Sequence, residues 1–167
     1  KEYRRQRQMC IRDRDNKNDV IDSVLVVDIP GELKLKDYGV YNPNINTISL
    51  ISPTTKKDRI ESIAKNSSGF VYYVTLRGVT GASNLDVNEI SSNIEEIKKY
   101  ASVPTLAGFG IKSAEDAKLL SQCSDGVIIG SSIVQMIEDS SQSKEFDRIR
   151  TYITDIKKAI SWVFFKI

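Results

Sequence analysis

A chain of 167 residues, 40% hydrophobic and 28% charged, is long enough for one domain with a real core and has the balance of an ordinary soluble globular protein. It has no histidine and two cysteines, Cys10 and Cys123, with no CxxC pair. That excludes His-based triads, Cys–His pairs and His-ligated metals, gives no support to structural zinc or a disulfide framework, and leaves acid–base chemistry to carboxylates, Lys or Tyr.

The net charge of +2 is unevenly placed. Residues 1–14 carry six basic side chains against Glu2 and Asp13, a net of +4, so the remainder stands at −2. No aromatic-rich basic face in the body supports nucleic-acid binding. No secretory apolar stretch follows the N-terminus, and the apolar end at 159–167 is too short to span a bilayer, so no membrane partner is expected and the expected location is cytoplasmic. Residues 1–16 lack periodicity and core formers and read as a disordered, non-native tail. Cys10 falls in it and is assigned no chemistry. Residues 17–167 read as one domain.

Taken in order, residues 24–27 (Val-Leu-Val-Val) are a buried parallel strand ending at Asp28-Ile29-Pro30-Gly31. A carboxylate at the C-terminal lip of a strand is where α/β enzymes keep working residues, although Asp28 also suits a turn or cap. Residues 32–41 suggest a short, poor crossover helix, broken by Gly39 and Asn42-Pro43-Asn44. A strand at 47–51 is followed by Pro53-Thr54-Thr55, where Thr54 or Thr55 is expected to cap a helix over 56–66 with Ile60, Ile63 and Ala64 inward. Residues 70–75 are the most β-prone segment. Their exit, from Leu76 to Asn84, is long and rich in small residues, as mobile βα lids are. A helix over 86–100 turns Ile90, Ile94 and Ile97 inward.

Residues 103–134 read as strand, glycine turn, helix, strand, glycine turn, helix start. The strand at 104–107 closes on Gly108-Phe109-Gly110, a turn that suits glycine. Ser113 then caps a helix with Asp116 as the capping-box acid. The strand at 126–129 closes on Gly130-Ser131-Ser132, with either serine able to cap the next helix. Two parallel strands ending in glycine turns at one sheet edge place bare N–H groups side by side, and such a nest beside a helix N-terminus suits a phosphate. In a last helix, Phe146, Ile149, Tyr152, Ile153, Ile156, Ile160 and Val163 recur at helical spacing and are expected to face the core. Trp162, Phe164 and Phe165 would pack on the barrel wall or on a partner.

Alternating βα units predict an α/β fold with a parallel sheet. Five strands suit a flavodoxin-like sheet, and the chain is too short for a complete (β/α)₈ barrel of roughly 250 residues. Phosphate-type turns after the last two strands nonetheless match the barrel rule for strands seven and eight. The expected fold is therefore a partial TIM (β/α)₈ barrel, about five parallel strands with crossover helices plus a C-terminal helix.

The residues Asp28-Ile29-Pro30, Phe70-Val71-Tyr72-Tyr73-Val74, Gly78-Val79-Thr80-Gly81-Ala82, Gly108-Phe109-Gly110-Ile111 and Gly130-Ser131-Ser132-Ile133-Val134 resemble, in order and spacing, the tryptophan synthase alpha chain family. The resemblance covers residues 18–139 and, more loosely, the C-terminal helix. It implies a TIM barrel that cleaves indole-3-glycerol phosphate to indole and glyceraldehyde 3-phosphate in tryptophan biosynthesis. It also implies an alpha2beta2 heterotetramer with a beta chain that carries PLP, and no cofactor in this chain. By motif, Gly81, Gly110, Gly130 and Ser131 would hold the substrate phosphate. Tyr72 would line the indole pocket, and Thr80 and Phe109 would belong to the lid or pocket. Asp28 and Pro30 would lie at the lip facing the beta chain.

The family's catalytic Glu and Asp fall on its second strand and the loop after it, upstream of anything here, so no catalytic residue is assigned and the chain reads as an inactive fragment. The segment 32–44 and the Leu76-Arg77 pair before Gly78 depart from the family pattern. Open sheet edges and an uncovered inner face would make such a piece poorly soluble or molten alone. The alternatives are another phosphate-binding (β/α)₈ enzyme of amino-acid biosynthesis, or a non-catalytic phosphate-ligand-binding α/β domain.

Overall fold

The computed structural model describes residues 22–27, 29–33, 45–75, 86–108, 110–140 and 146–161. Short apolar, β-prone runs form five strands: β1 (Ser23–Leu25), β2 (Asn46–Ile51), β3 (Val71–Val74), β4 (Thr105–Gly108) and β5 (Gly126–Ile128). All neighbouring pairs are parallel, and the order in the sheet is β1-β2-β3-β4-β5. With right-handed crossovers, an order that never reverses lays every helix on one face and curls the sheet toward a barrel. A doubly wound flavodoxin-like sheet requires a reversal of direction, which is absent here.

Strand alternation separates two faces. Ser49 pairs with Val71, and Val71 with Thr105; Ile51 pairs with Tyr73, and Tyr73 with Ala107. All of these are buried. They meet three amphipathic helices, α1 (Lys57–Asn66), α2 (Val87–Lys98) and α3 (Ala114–Ser121), whose buried residues include Ile60, Ile63, Ala64, Ile90, Ile94, Ile97, Ala117 and Leu120. The helix-facing positions of the sheet and these side chains form a single core. On the opposite face Leu50, Tyr72, Leu106 and Gly126 share one row, and Val74, Gly108 and Ile128 the next.

Local signals explain most helix starts. Asp86 caps α2, its Oδ1 accepting from the N–H groups of Asn88 and Glu89 at 3.1 Å each. Ser113 caps α3 through a complete capping box with Asp116. Helix α1 departs from expectation. Its cap position is Lys56, with no side-chain cap. Thr55 is instead recruited into the preceding turn, where its Oγ1 accepts from Ser52 N–H at 3.0 Å. A turn that satisfies Ser52 leaves the threonine hydroxyl unable to reach forward.

The last two helices are α4 (Ser131–Ser140) and α5 (Asp147–Ser161), and α5 packs mainly on α3. Only part of its apolar stripe reaches the core: Ile156 is buried, and Tyr152 and Ile160 pack beside it. Phe146 and Ile153 are 65% and 40% exposed, contrary to the expected core-facing stripe. A helix lying on one neighbour buries only a narrow seam, here the i, i+4, i+8 row 152, 156, 160. Val163 and the aromatic residues 162, 164 and 165 lie outside the described residues, as do the tail 1–16 and the expected helix at 32–41 from residue 34 on.

At the N-terminal end of the sheet, Asp125 joins three elements. Its carboxylate accepts from Thr105 N–H (2.8 Å) and from Lys98 Nζ at the end of α2 (2.7 Å), while its own N–H donates to the Thr105 carbonyl (2.9 Å). This fixes the start of β5 against β4, and hence the register that sets both glycine turns at the other end. No helix among the described residues is long and apolar enough to cross a membrane.

Candidate phosphate-binding site

Because the strands are parallel, all their C-terminal ends lie at one rim. Thr75, just past β3, donates from its N–H (2.8 Å) and its Oγ1 (3.2 Å) to the Gly108 carbonyl, tying the end of β3 to the end of β4. Beyond β4, Gly110 adopts φ 75, a left-handed conformation that L side chains rarely take. Gly108 serves another purpose. It is the last residue of β4, and a Cβ there would lie 2.6 Å from the Ile128 carbonyl oxygen and 3.1 Å from the Tyr72 ring. Of the two glycines expected to make this turn, Gly110 supplies the backbone bend and Gly108 supplies room between neighbouring strands.

Beyond β5, the Gly130 carbonyl accepts from the N–H groups of Ile133 (3.0 Å) and Val134 (3.1 Å), so Gly130 opens α4. The two serines expected to cap this helix follow the cap position rather than occupy it. Ser131 is exposed as the first residue of α4, and Ser132 donates from Oγ to the Ile111 carbonyl at 2.9 Å. The N–H groups of Ser131 and Ser132, which precede the first of these helical bonds, have no acceptor within the helix and lie at the positive end of its dipole. Among the described residues, a Cβ at Gly130 would meet no atom within 4 Å. The rim thus brings Gly110, Gly130 and Ser131 onto adjacent turns.

Tyr72 sits one row below the rim on the inner face, half-buried and beside Gly108. Burial raises its phenol pKa, so it is a neutral phenol around pH 7. Its neighbour Tyr73 points the other way, into the helix layer. Burial raises that phenol more than the hydrogen bond from Asn93 Nδ2 (3.0 Å) lowers it. Pro30 is exposed at the β1 exit, at the far side of the rim from Gly130. Gly81, Thr80, Phe109 and Asp28 lie outside the described residues. The hydroxyl ties of Thr75 and Ser132 carried no sequence signal: their partners are 33 and 21 residues away.

A cavity of about 180 Å³ lies elsewhere, at the β1–β2 edge, lined by Val26, Ile29, Leu33, Ser49, Arg59 and Ile63 among others. Beside it the Glu32 carboxylate pairs with Arg59 and is held below the usual carboxylate pKa mainly by that hydrogen bond. Burial raises the pKa of Cys123, which leaves it a thiol at neutral pH. No group of three or more metal-ligating side chains occurs among the described residues.

Residues 13–161 match the family described as tryptophan synthase alpha chain. The chain belongs to that family. The tryptophan synthase alpha chain of Janthinobacterium sp. (strain Marseille) is 43% identical over 141 residues, covering 84% of this chain and 53% of the relative. That of Cupriavidus metallidurans is 40% identical with the same coverage. Among solved structures, the alpha subunit from Legionella pneumophila superposes with a TM-score of 0.68 at 27% identity, over 84% of this chain and 52% of that one. The alpha subunit from Campylobacter jejuni gives 0.65 at 29%, over 81% and 54%. The chain thus spans about half the length of the tryptophan synthase alpha relatives it matches, and its five-stranded sheet corresponds to part of their barrel.

Proposed function

We propose that these residues form the phosphate-holding part of a tryptophan synthase alpha barrel, the lyase that cleaves indole-3-glycerol phosphate to indole and glyceraldehyde 3-phosphate in the cytoplasm. The observation that carries the reading is the pairing of the β4 and β5 exits. One turn bends at a left-handed glycine, and the other opens a helix at a glycine where, among the described residues, a Cβ would meet no atom within 4 Å. A phosphate in that gap accepts from N–H groups of Gly110, Gly130 and Ser131, with the Ser131 hydroxyl and the Gly81 loop completing the cradle. Tyr72 provides an apolar wall with a neutral hydroxyl for the indole end, and Thr80 and Phe109 close over the substrate.

No residue here takes the roles of the family's catalytic Glu and Asp, so these residues bind the phosphate end without breaking the carbon–carbon bond. The chain needs no cofactor; PLP belongs to the beta chain, which docks at the lip formed by Asp28 and Pro30.

Gly130→Val tests the cradle. The glycine is not in a left-handed conformation, and a Cβ meets nothing within 4 Å among the described residues, so the fold has room for the side chain. Calorimetric titration with glyceraldehyde 3-phosphate is expected to show at least tenfold weaker binding in the variant, with the melting temperature lowered only by the exchange of a glycine for a valine at the helix cap. Equal affinity in the two proteins would overturn the cradle.

A further inference from the structure

Anion binding by two separate turns demands that their N–H groups stay at a fixed separation, because a gap that widens by a fraction of an ångström weakens every contact at once. The β4 turn is held at its far end by the α3 capping box, where Lys112 N–H (3.1 Å) and Ser113 N–H (3.2 Å) both donate to Asp116 Oδ2. Its near end, Gly110-Ile111, is held from the other turn: Ser132 reaches back from the second position of α4 to the Ile111 carbonyl. Ile111 itself is anchored, only 3% exposed with its side chain in the core. The bond therefore joins a fixed point under one turn to the first turn of the helix that opens the other.

We infer that Ser132 is a positioning residue for the phosphate cradle, acting through Ile111 to set the distance between Gly110 and Gly130. The inference rests on the phosphate-binding reading of these turns. In Ser132→Ala the Ile111 carbonyl loses its donor and the two turns are free to part. The loss of one partly buried hydrogen bond corresponds to an affinity change of about fivefold. Ser132→Thr retains the hydroxyl at the same position and restores the tie.

The test is titration of the full chain with inorganic phosphate, followed by the amide NMR signals of Gly110 and Ser131, with thermal melts of each variant. In the parent protein both amides shift along one binding curve. In Ser132→Ala the curve is expected to move to about fivefold higher phosphate, and in Ser132→Thr to return. A lower melting temperature with unchanged phosphate affinity in Ser132→Ala would overturn the positioning role and leave the cradle standing. No response of either amide to phosphate in the parent protein, or an unchanged affinity in Gly130→Val, would overturn the cradle itself and the role of Ser132 with it.

Discussion

On the helix-covered face of the sheet, Ile51, Val71, Tyr73, Thr75, Thr105 and Ala107 are at most 1% exposed. On the opposite face the side chains are no less apolar, yet Ile48, Leu50, Tyr72, Val74, Leu106 and Ile128 are only half-buried, and Leu25, paired with Ile48, is 38% exposed. The difference follows from where each face finds its cover. The outer face is covered locally, because most βα units supply a helix along with the strand. The inner face of a (β/α)₈ barrel is covered from across the ring, by side chains of other strands. Five strands in sequential order curve toward a ring without completing one, so the same kind of residue is core on one side and surface on the other.

Substitutions on the two faces should therefore separate by several kcal/mol. The largest effect is expected for Ile94→Ala in α2, a fully buried side chain whose loss costs about 2–5 kcal/mol, read as a lower denaturant midpoint. Leu25→Ala, 38% exposed and paired with Ile48, is its counterpart on the open face and should cost about 1 kcal/mol or less. Comparable losses in the two would show that the inner face is covered after all.

The inner face is not uniformly loose. At its β4–β5 end, Gly108→Ala forces a methyl group against the Ile128 backbone oxygen, and such overpacking is expected to cost about 1–3 kcal/mol by thermal melt. A neutral result would mean that β4 and β5 can part there, and the comparison between faces would extend over the whole sheet.

The smallest effect concerns the β1 edge, where Glu32 and Arg59 tie the β1 exit turn to α1. The Glu32 carboxyl is lowered from its ordinary value of 4.5 in the folded protein. Its contribution is thus present above that value and lost as pH falls through the lowered folded value. Glu32→Gln should be less stable than the parent near pH 7, with the gap closing in acid. A gap that persists in acid would assign the loss to packing rather than to the ion pair.

How far the sequence announced this molecule depends on the range of each interaction. The Ser113–Asp116 box, the Ile90-Ile94-Ile97 stripe and the β-prone run at 70–75 are short-range patterns, and the structure has the box, the buried stripe and a strand at 71–74 in those places. The strand order followed from alternating βα units together with the glycine turns. The failures arise from tertiary surroundings that no local pattern reveals. Ser52 takes the hydroxyl of Thr55, the Ile111 carbonyl takes that of Ser132, and α3 offers α5 a seam too narrow for Phe146 and Ile153. At the site, Gly110 and Gly130 were legible as glycines. Their surroundings differ, a left-handed φ at Gly110 and, among the described residues, no atom within 4 Å of a Cβ at Gly130, and emerged only from the folded backbone.

The unreversed strand order also bears on how the chain reaches this state. Each strand pairs with the next one along the sequence, so partners are only 20 to 34 residues apart. Closing such short intervals costs little more entropy than forming a single βα hairpin-sized loop. The sheet can then grow by accretion, one unit docking on the edge left by the last, with no strand waiting for a distant partner to be made. An architecture of that kind grows like a crystal face, each edge a finished product and at the same time the template for what is added next.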